Sequence, residues 1–206
     1  YYGAHTGRWT GIEKINMQNL PRKSPLRTAL LAPECKLVFV ADLSNIEARV
    51  LAWLADEESL LDQFRSGDDI YSNLATEIYK RPINKVDDPT DRFVGKTAVL
   101  GLGYGMGAAK FQATLEAGAM GPPMKFTTKE AQNVVNTYRS AYPGIPTLWQ
   151  RLEIKLASTL NPTYDEHWHG LFFDNNKIQL PNGLALHYNN LRFEDGNLTY
   201  DSSVKK

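Results

Sequence analysis

The chain has 206 residues, which is enough to bury a core and suits either one domain or two small lobes. Its 23 basic and 23 acidic residues cancel, so any site for a polyanion must be local rather than a property of the whole surface. The single cysteine, Cys35, excludes an intrachain disulfide, and no apolar run reaches bilayer length, so we expect a soluble intracellular protein.

The first predicted regular element is a strand. Residues 1–35 predict little regular structure, because glycine, proline and polar residues recur there at short intervals. The next run, "CKLVFVADLS", has four consecutive apolar residues and predicts a buried strand that ends on Asp42. Ser44 is the expected cap of a following helix, whose apolar residues recur with helical spacing. Asp42 is therefore expected where a strand gives way to a helix.

Two further helices are predicted in the middle of the chain. One covers "DIYSNLATEIYK" and is expected to stop at Pro82, because proline cannot continue the helical hydrogen-bond ladder. The next begins after "DDPT", with Thr90 as its expected cap.

The second half of the chain changes from helix to strand. Thr127 and Glu130 have the spacing of a capping box at the start of a helix, and "IPTLWQRLEIKLASTL" has an amphipathic helical pattern. From Leu171 onward, short alternating segments with turn signals between them predict β-hairpins. "DEHWH" favours a surface loop over a metal site, because no third ligand is evident.

The helix after "DDPT" carries an unusual set of side chains on one face. Arg92, Lys96, Leu100 and Tyr104 are spaced four residues apart, so they form one slowly rotating stripe. An arginine fork and a lysine point charge together suit a triphosphate, and a tyrosine ring can stack on a base. The glycines within 101–107 would allow a close approach where the helix ends. An ordinary helix with an exposed basic face has the same spacing, so both interpretations stay open.

Asp42 also has two interpretations. A carboxylate at the end of an apolar strand can hold a divalent cation, whereas a carboxylate before a helix can cap it, and capping is the commoner role. The pattern alone favours the cap.

Several segments, taken in order, resemble family A DNA polymerases, the group of bacterial DNA polymerase I and its bacteriophage relatives. "DLSNIEARVLA" at residues 42–52 resembles motif A of that family. The R-x-x-x-K pattern that continues to Tyr-Gly, residues 92–105, resembles motif B on the fingers helix. Upstream, "HTGRWTG" and "NMQNLPR" are similar to the segment that follows primer–template DNA, and downstream "QLPNGLALHY" resembles a phage-type palm hairpin. The resemblance covers nearly the whole chain.

The resemblance implies a DNA-directed DNA polymerase that transfers nucleotides from dNTPs to a primer 3′-hydroxyl. Asp42 would bind two catalytic Mg²⁺ ions, with the Leu43 carbonyl as a further ligand, in a two-metal mechanism. Glu47 would pack beneath the sugar and exclude a 2′-hydroxyl; the alternative for Glu47 is a solvent-facing helix acid.

The same resemblance assigns the remaining substrate contacts. Arg92 and Lys96 would hold the triphosphate, and Tyr104 would lie near the templating base. The primer–template duplex would be contacted from its minor groove, where acceptor positions are similar for every base pair, by Arg8, Gln18 and Asn19.

The sequence departs from the family pattern at three places. Leu100 stands where an aromatic residue is common, so aliphatic packing replaces stacking against the dNTP. Tyr71 stands where many relatives have a histidine that contacts the triphosphate, so a neutral donor replaces a charged one. The "His-Asp-Glu" hairpin of motif C is absent. Asp195 precedes a glycine in a strong turn signal and Asp201 lies in a polar terminus, so neither is a good replacement.

We therefore expect a mixed α/β (α+β) chain with helical fingers on part of an antiparallel palm of the polymerase right-hand fold. The predicted divisions are a partial palm over 1–53, fingers over 54–170 and returning palm hairpins over 171–206, truncated before motif C. The expected partners are primer–template DNA, dNTPs and a downstream segment or second polypeptide that carries motif C. The expected location is the cytoplasm of a bacterial cell, with or without phage infection, and no membrane partner is expected.

The sequence has two alternative interpretations besides a polymerase fragment. A non-catalytic nucleotide- or DNA-binding module would keep the fingers surface without the second catalytic aspartate. A single-subunit RNA polymerase is disfavoured by Glu47 and by the form of motif A.

Overall fold

The computed structural model describes residues 11, 20, 25–118 and 121–201. The chain divides into two compact units, one formed by residues 1–44 with 159–206 and the other by residues 45–158. The predicted palm and fingers divide after residues 53 and 170 instead. A compact unit need not coincide with a subdomain, so the assignment of palm and fingers stays a prediction.

In the described residues of the unit formed by 1–44 and 159–206, the regular structure is mainly antiparallel sheet. It contains the one-turn helix α1 (Pro25–Thr28), a sheet with the strand order β1-β2-β3-β4, and a separate β5-β6 pair. The strands are β1 (Asp165–Trp168), β2 (Leu171–Asp174), β3 (Lys177–Gln179), β4 (Ala185–His187), β5 (Arg192–Glu194) and β6 (Asn197–Thr199).

The hairpins predicted from Leu171 onward are confirmed, and Phe173 of β2 is the largest fully buried side chain of the four-stranded sheet. This fully buried ring faces Glu166 on one neighbouring strand and Ile178 on the other. Asp195 has a φ of 49° and Gly196 a φ of 77°, which is the left-handed backbone of a two-residue hairpin turn. The predicted turn role of Asp195 is therefore confirmed.

The surface loop predicted for "DEHWH" is wrong, because most of this segment is strand β1. His167 lies opposite Phe172, and the two rings stack with centroids 4.4 Å apart. Such a cross-strand aromatic pair stabilises an antiparallel ladder. His167 lies in β1, and His169 lies in the turn after that strand.

The buried strand predicted before Asp42 is also wrong. Residues 36–43 have no regular secondary structure, and the side chains of Leu37, Val38, Phe39 and Val40 are 62–90% exposed. A strand needs a hydrogen-bonding neighbour, and no strand in the described ranges pairs with this segment.

The second unit, residues 45–158, is helical. Its helices are α2 (Ile46–Leu54), α3 (Glu58–Ser66), α4 (Ile70–Tyr79), α5 (Pro89–Leu102), α6 (Ala108–Glu116), α7 (Thr128–Ala141) and α8 (Gly144–Ser158). Helix α5 lies at the centre, where it contacts α4, α6 and α7. Its residues Val94, Ala98 and Leu102 are fully buried because they face these neighbours.

Helices α4 and α5 approach closely at a glycine. A Cβ added at Gly95 would lie 2.2 Å from the carbonyl oxygen of Tyr71 and 3.1 Å from the Cβ of Ala75. Because these distances are below van der Waals contact, α4 and α5 could not keep this separation with any other residue at position 95.

The helix starts confirm one predicted cap and correct two. Thr127 and Glu130 form the predicted capping box at the start of α7. The residue at the N-cap position of α2 is Asn45 and not Ser44; Asn45 has a left-handed φ of 55°, and its side chain makes no capping hydrogen bond. Helix α5 follows Asp88 with a proline at its first position, so the predicted cap Thr90 lies inside the helix. Within the described ranges, no helix is both long and apolar enough to cross a bilayer.

Candidate functional site

The predicted side chains share one face of α5 and the turn after it. Arg92, Lys96 and Leu100 are half-buried on the helix, and Tyr104, in the turn, is 68% exposed. Lys96 makes no ion pair with any residue in the described part of the chain, so its charge is available to a ligand.

Arg92 is held by Asp69, which precedes α4. The Arg92 Nε donates a hydrogen bond to Oδ2 of Asp69 at 2.5 Å, and Nη2 donates to Oδ1 at 3.0 Å. The Ser72 hydroxyl also donates to Oδ2 of Asp69, at 2.8 Å. Partial burial acts to raise the pKa of Asp69, but the hydrogen bonds from Arg92 and Ser72 outweigh burial and lower that pKa below its ordinary value. Asp69 is therefore a carboxylate at neutral pH.

Tyr71 lies between Arg92 and the start of α2. Its ring centroid is 5.2 Å from the Cζ of Arg92, and its hydroxyl donates a hydrogen bond to Oδ1 of Asn45. Burial raises the pKa of Tyr71, which keeps the hydroxyl protonated as a donor. The neutral donor expected from the sequence is thus present, and in this structure Asn45 accepts its hydrogen bond.

A small cavity lies between α2 and the end of α5. Its volume is about 100 Å³, and its wall is mainly apolar, with Leu100 among the lining residues. The Tyr104 hydroxyl donates a hydrogen bond to Oε2 of Glu47 at 2.5 Å, so these two polar residues of the lining contact each other. Gly103 permits the approach of α2, because a Cβ there would lie 2.7 Å from Cδ2 of Leu51.

Comparison with known proteins identifies the family of the chain. The sequence profile described as DNA polymerase family A matches residues 1–162. The chain belongs to DNA polymerase family A. The DNA polymerase of Bacillus phage SP02 is 29% identical over 250 residues, which cover the whole chain and 38% of the phage protein. DNA polymerase I of Lactococcus lactis subsp. cremoris is 32% identical over 153 residues, which cover 71% of the chain and 16% of that protein.

Solved structures give the same result for this family A chain. The POL domain of Pol1 from M. smegmatis, in complex with DNA primer-template and dNTP, matches with a TM-score of 0.58 and 27% sequence identity. The match covers 75% of this chain and 26% of that domain's chain. The chain therefore spans well under half the length of the phage and bacterial relatives that it matches.

The residues predicted to hold metal lie in the other compact unit. Asp42 and Leu43 are both exposed and lie at the end of the irregular segment 36–43. Within the described residues, no group of three or more His, Cys, Asp and Glu side chains is close enough to hold a metal ion. The assignment of metal binding to Asp42 and the Leu43 carbonyl stays a prediction: their oxygens are of the kind that Mg²⁺ prefers, but two ligands are fewer than it requires.

The other predicted positions are either engaged elsewhere or not described. Asp195 forms the turn between β5 and β6, and the carboxylate of Asp201 accepts hydrogen bonds from Asn190 at 3.1 Å and Arg192 at 3.0 Å. The three residues predicted to contact primer–template DNA, Arg8, Gln18 and Asn19, lie outside the described residues.

Two residues of the site were missed from the sequence. Asp69 binds Arg92 from 23 residues away, and Asn45 accepts from Tyr71 across 26 residues. Asp69 is the first residue of the predicted helix "DIYSNLATEIYK", a position typical of a helix cap. It carried no information about an arginine on another helix.

Proposed function

We propose that this chain is part of a family A DNA polymerase that carries out template-directed DNA synthesis, and that the face of α5 binds the incoming dNTP. The observation that carries the proposal is the pair of cations on α5. Lys96 lies one turn beyond Arg92 with no acidic partner among the residues described, so the face has uncompensated positive charge. A triphosphate is a ligand that matches a planar arginine fork followed by a mobile ammonium group.

In this proposal, Arg92 and Lys96 bind the phosphate oxygens and offset the charge that shifts toward pyrophosphate during nucleotidyl transfer. Tyr71 lies beside Arg92 and contributes its ring to the wall of the phosphate site. The similar POL domain from M. smegmatis forms a complex with DNA primer-template and dNTP, which supports a substrate of this class.

The sugar and base would lie toward the cavity between α2 and α5. Glu47 would lie beneath the deoxyribose and exclude a 2′-hydroxyl, and its hydrogen bond from Tyr104 supports this by fixing the carboxylate. Leu100 would pack against the nucleotide through aliphatic contact in place of an aromatic ring. Tyr104, at the exposed end of the face, would lie near the templating base.

The metal and DNA sites would use residues of this chain together with other parts of the polymerase. Bound Mg²⁺ ions, two in the complete enzyme, supply stabilisation of the attacking and leaving oxygens. Asp42 and the Leu43 carbonyl would hold them together with ligands from a downstream segment or second polypeptide that carries motif C. Arg8, Gln18 and Asn19 would contact the primer–template duplex, and the reaction would take place in the cytoplasm of a bacterial cell.

Nucleotide binding tests the proposal directly. Isothermal titration of the 206-residue chain with dATP is expected to show binding that Arg92→Ala and Lys96→Ala each weaken by roughly tenfold or more, because each loses a charge-assisted contact. Matched controls are Arg151→Ala on α8 and Lys110→Ala on α6, both exposed, which are expected to bind dATP as the wild type does. Equal weakening by all four substitutions would contradict a specific site on α5.

Primer extension separates polymerase activity of this chain from nucleotide binding alone. With primer–template DNA, dNTPs and Mg²⁺, extension that is lost in Asp42→Ala would show that the chain holds all the catalytic ligands itself. Nucleotide binding without extension would favour the non-catalytic interpretation for the isolated chain. Extension restored by adding a polypeptide that carries motif C would then favour the divided polymerase.

A further inference from the structure

We infer that Asp69 is a positioning residue for nucleotide binding: it grips one edge of the Arg92 guanidinium so that the opposite edge is presented to the triphosphate. The inference rests on the proposed function of the α5 face and adds a residue that the sequence motifs do not include.

The hydrogen bonds to Asp69 use a defined part of the arginine fork. The Nε and one N–H of Nη2 donate to the two carboxylate oxygens of Asp69. A guanidinium has five N–H groups, so both N–H groups of Nη1 and the second N–H of Nη2 remain. These groups lie on the other edge of the same plane, which is the geometry for a second bidentate contact with a phosphate.

The surroundings of the pair fix its orientation. The Ser72 hydroxyl donates to the same carboxylate oxygen that Arg92 Nε contacts, and Ser72 is buried. The ring of Tyr71 lies against the guanidinium, and the Tyr71 hydroxyl is itself bound by Asn45. The arginine side chain, which has high rotamer freedom when exposed, is thus held before any ligand arrives. Less conformational entropy is lost when phosphate binds, and this strengthens binding.

A competing role for Asp69 has the opposite consequence. If the Asp69 carboxylate competed with phosphate for Arg92, the triphosphate would have to displace the carboxylate, whose negative charge would also repel it. Removal of the Asp69 charge would then tighten phosphate binding. A positioning residue differs, because its removal loosens the guanidinium and weakens binding. The sign of the change in affinity separates the two roles.

The neighbouring acid provides a matched control. Asp68 is exposed, and its side chain makes no ion pair in the described part of the chain, so Asp68→Asn removes the same formal charge without touching Arg92. The 206-residue chain is titrated with dATP and, separately, with inorganic tripolyphosphate. Asp69→Asn is expected to weaken both by roughly three- to tenfold, the loss of about one charged hydrogen-bond contact. Asp68→Asn is expected to bind equally well or slightly better. Asp69→Asn binding as tightly as Asp68→Asn, or more tightly, would overturn the inference.

A double substitution shows whether Asp69 acts through Arg92. Once Arg92→Ala has removed the guanidinium, adding Asp69→Asn is expected to produce no further loss of affinity. A general structural role for Asp69 would lower affinity in both backgrounds. Circular dichroism confirms that each variant is folded. If Asp69→Asn does not fold, Ser72→Ala is measured instead. This variant keeps the charge of Asp69 and removes the hydrogen bond that Ser72 donates to it. Unchanged dATP affinity of Ser72→Ala would then overturn the inference.

The same titrations distinguish this inference from the proposed function. Absence of binding by the wild type, or unchanged binding in Arg92→Ala, would overturn the nucleotide site itself. Loss of binding in Arg92→Ala with full binding in Asp69→Asn would leave the nucleotide site standing and remove only the positioning role of Asp69.

Discussion

The hydrogen bond between Tyr104 and Glu47 joins two side chains that the family resemblance assigns to different parts of the substrate. It spans 57 residues of sequence and connects α2 to the turn after α5. A carboxylate that excludes a 2′-hydroxyl must be held in place, since a freely rotating one could move aside. We therefore expect the orientation of Glu47 to depend on the Tyr104 hydroxyl.

Tyr104→Phe keeps the ring and removes this donor. We expect the ratio of dATP to ATP affinity to fall, while stability changes by no more than about 1 kcal/mol because Tyr104 is mostly exposed. Titration with each nucleotide measures the ratio. Tyr79→Phe on α4 is the matched control and is expected to leave the ratio of dATP to ATP affinity unchanged. If Glu47→Ala lowers the ratio and Tyr104→Phe does not, Glu47 does not need the hydrogen bond.

The Asp69–Arg92 pair also predicts a pH dependence of stability. The pKa of Asp69 is lower in the folded chain than its ordinary value, so folding favours the ionised form. The stabilisation is complete above the unfolded pKa, roughly 4, and is lost as the pH falls through the lower folded pKa. The melting temperature of the wild type should therefore fall more between about pH 5 and pH 3 than that of Asp69→Asn.

Thermal unfolding followed by circular dichroism across this pH range measures the difference. Asp68→Asn retains the Asp69–Arg92 pair and should follow the wild-type profile. Parallel profiles for wild type and Asp69→Asn would mean that the pair contributes no pH-dependent stability.

The sequence predicted the two cations of this site but not the partner of Arg92, for a physical reason. Arg92 and Lys96 are one helical turn apart, and that relation is local, so spacing alone reveals it. The partner of Arg92 lies before another helix, and nothing in the local pattern specifies which helices pack together. Asp69 was visible only as an acid at a helix start.

The capping box at the start of α7 was predicted correctly from the sequence. The Thr127 hydroxyl accepts from the Glu130 backbone N–H at 3.2 Å, and the Glu130 carboxylate accepts from the Thr127 backbone N–H at 2.8 Å. Thr127→Ala is expected to cost about 1 kcal/mol of stability, because one of the first N–H groups of the helix loses its acceptor. Urea denaturation measures this cost. Thr147→Ala on α8 should be close to neutral, because the exposed Thr147 hydroxyl only donates to the Pro143 carbonyl, four residues earlier and just before the helix.

The contact between α4 and α5 depends on a glycine inside a helix. Alanine is the better helix former by about 1 kcal/mol, yet Gly95→Ala would place a methyl group against the Tyr71 carbonyl. We expect a net loss of about 1–3 kcal/mol from this overpacking. It would also weaken dATP binding, because α4 carries Tyr71 and follows Asp69.

Gly101→Ala in the same helix is the control for that substitution. Its added Cβ would meet only the flexible end of Met106 at 3.2 Å, so this variant should be neutral or more stable in urea denaturation. Equal stability of the two variants would show that α4 and α5 can separate without cost.

The elements that were predicted correctly are those whose signals lie within the element. The helical spacing and the capping box of α7 are of this kind, as are the turn residues of the β5–β6 hairpin. The apolar segment 37–40 and strand β1 were predicted wrongly. Whether a segment forms a strand depends on a neighbouring strand, which the segment's own sequence does not encode. Apolar composition alone predicted burial for residues that are exposed here.

The two compact units differ in how the chain forms them. One requires both ends of the sequence, whereas the other is the continuous stretch 45–158. Of the described residues, this stretch contains most of the buried apolar side chains, among them Leu74, Val94, Phe111 and Tyr138. It also contains Asp69, Arg92 and the other residues of the α5 face. A continuous segment with its own core is expected to fold independently.

We therefore predict that residues 45–158 expressed alone give a helical circular dichroism spectrum and a cooperative urea transition, and that they bind dATP as the full chain does. Residues 54–170, the predicted fingers, are the matched comparison. They lack almost all of α2, whose Ala48 and Ala52 are buried and whose Leu51 packs at Gly103. Loss of these contacts should lower the urea midpoint and expose the cavity beside Leu100. If 54–170 were the more stable segment, the boundary inferred from sequence would describe the folding unit better than the one after Ser44.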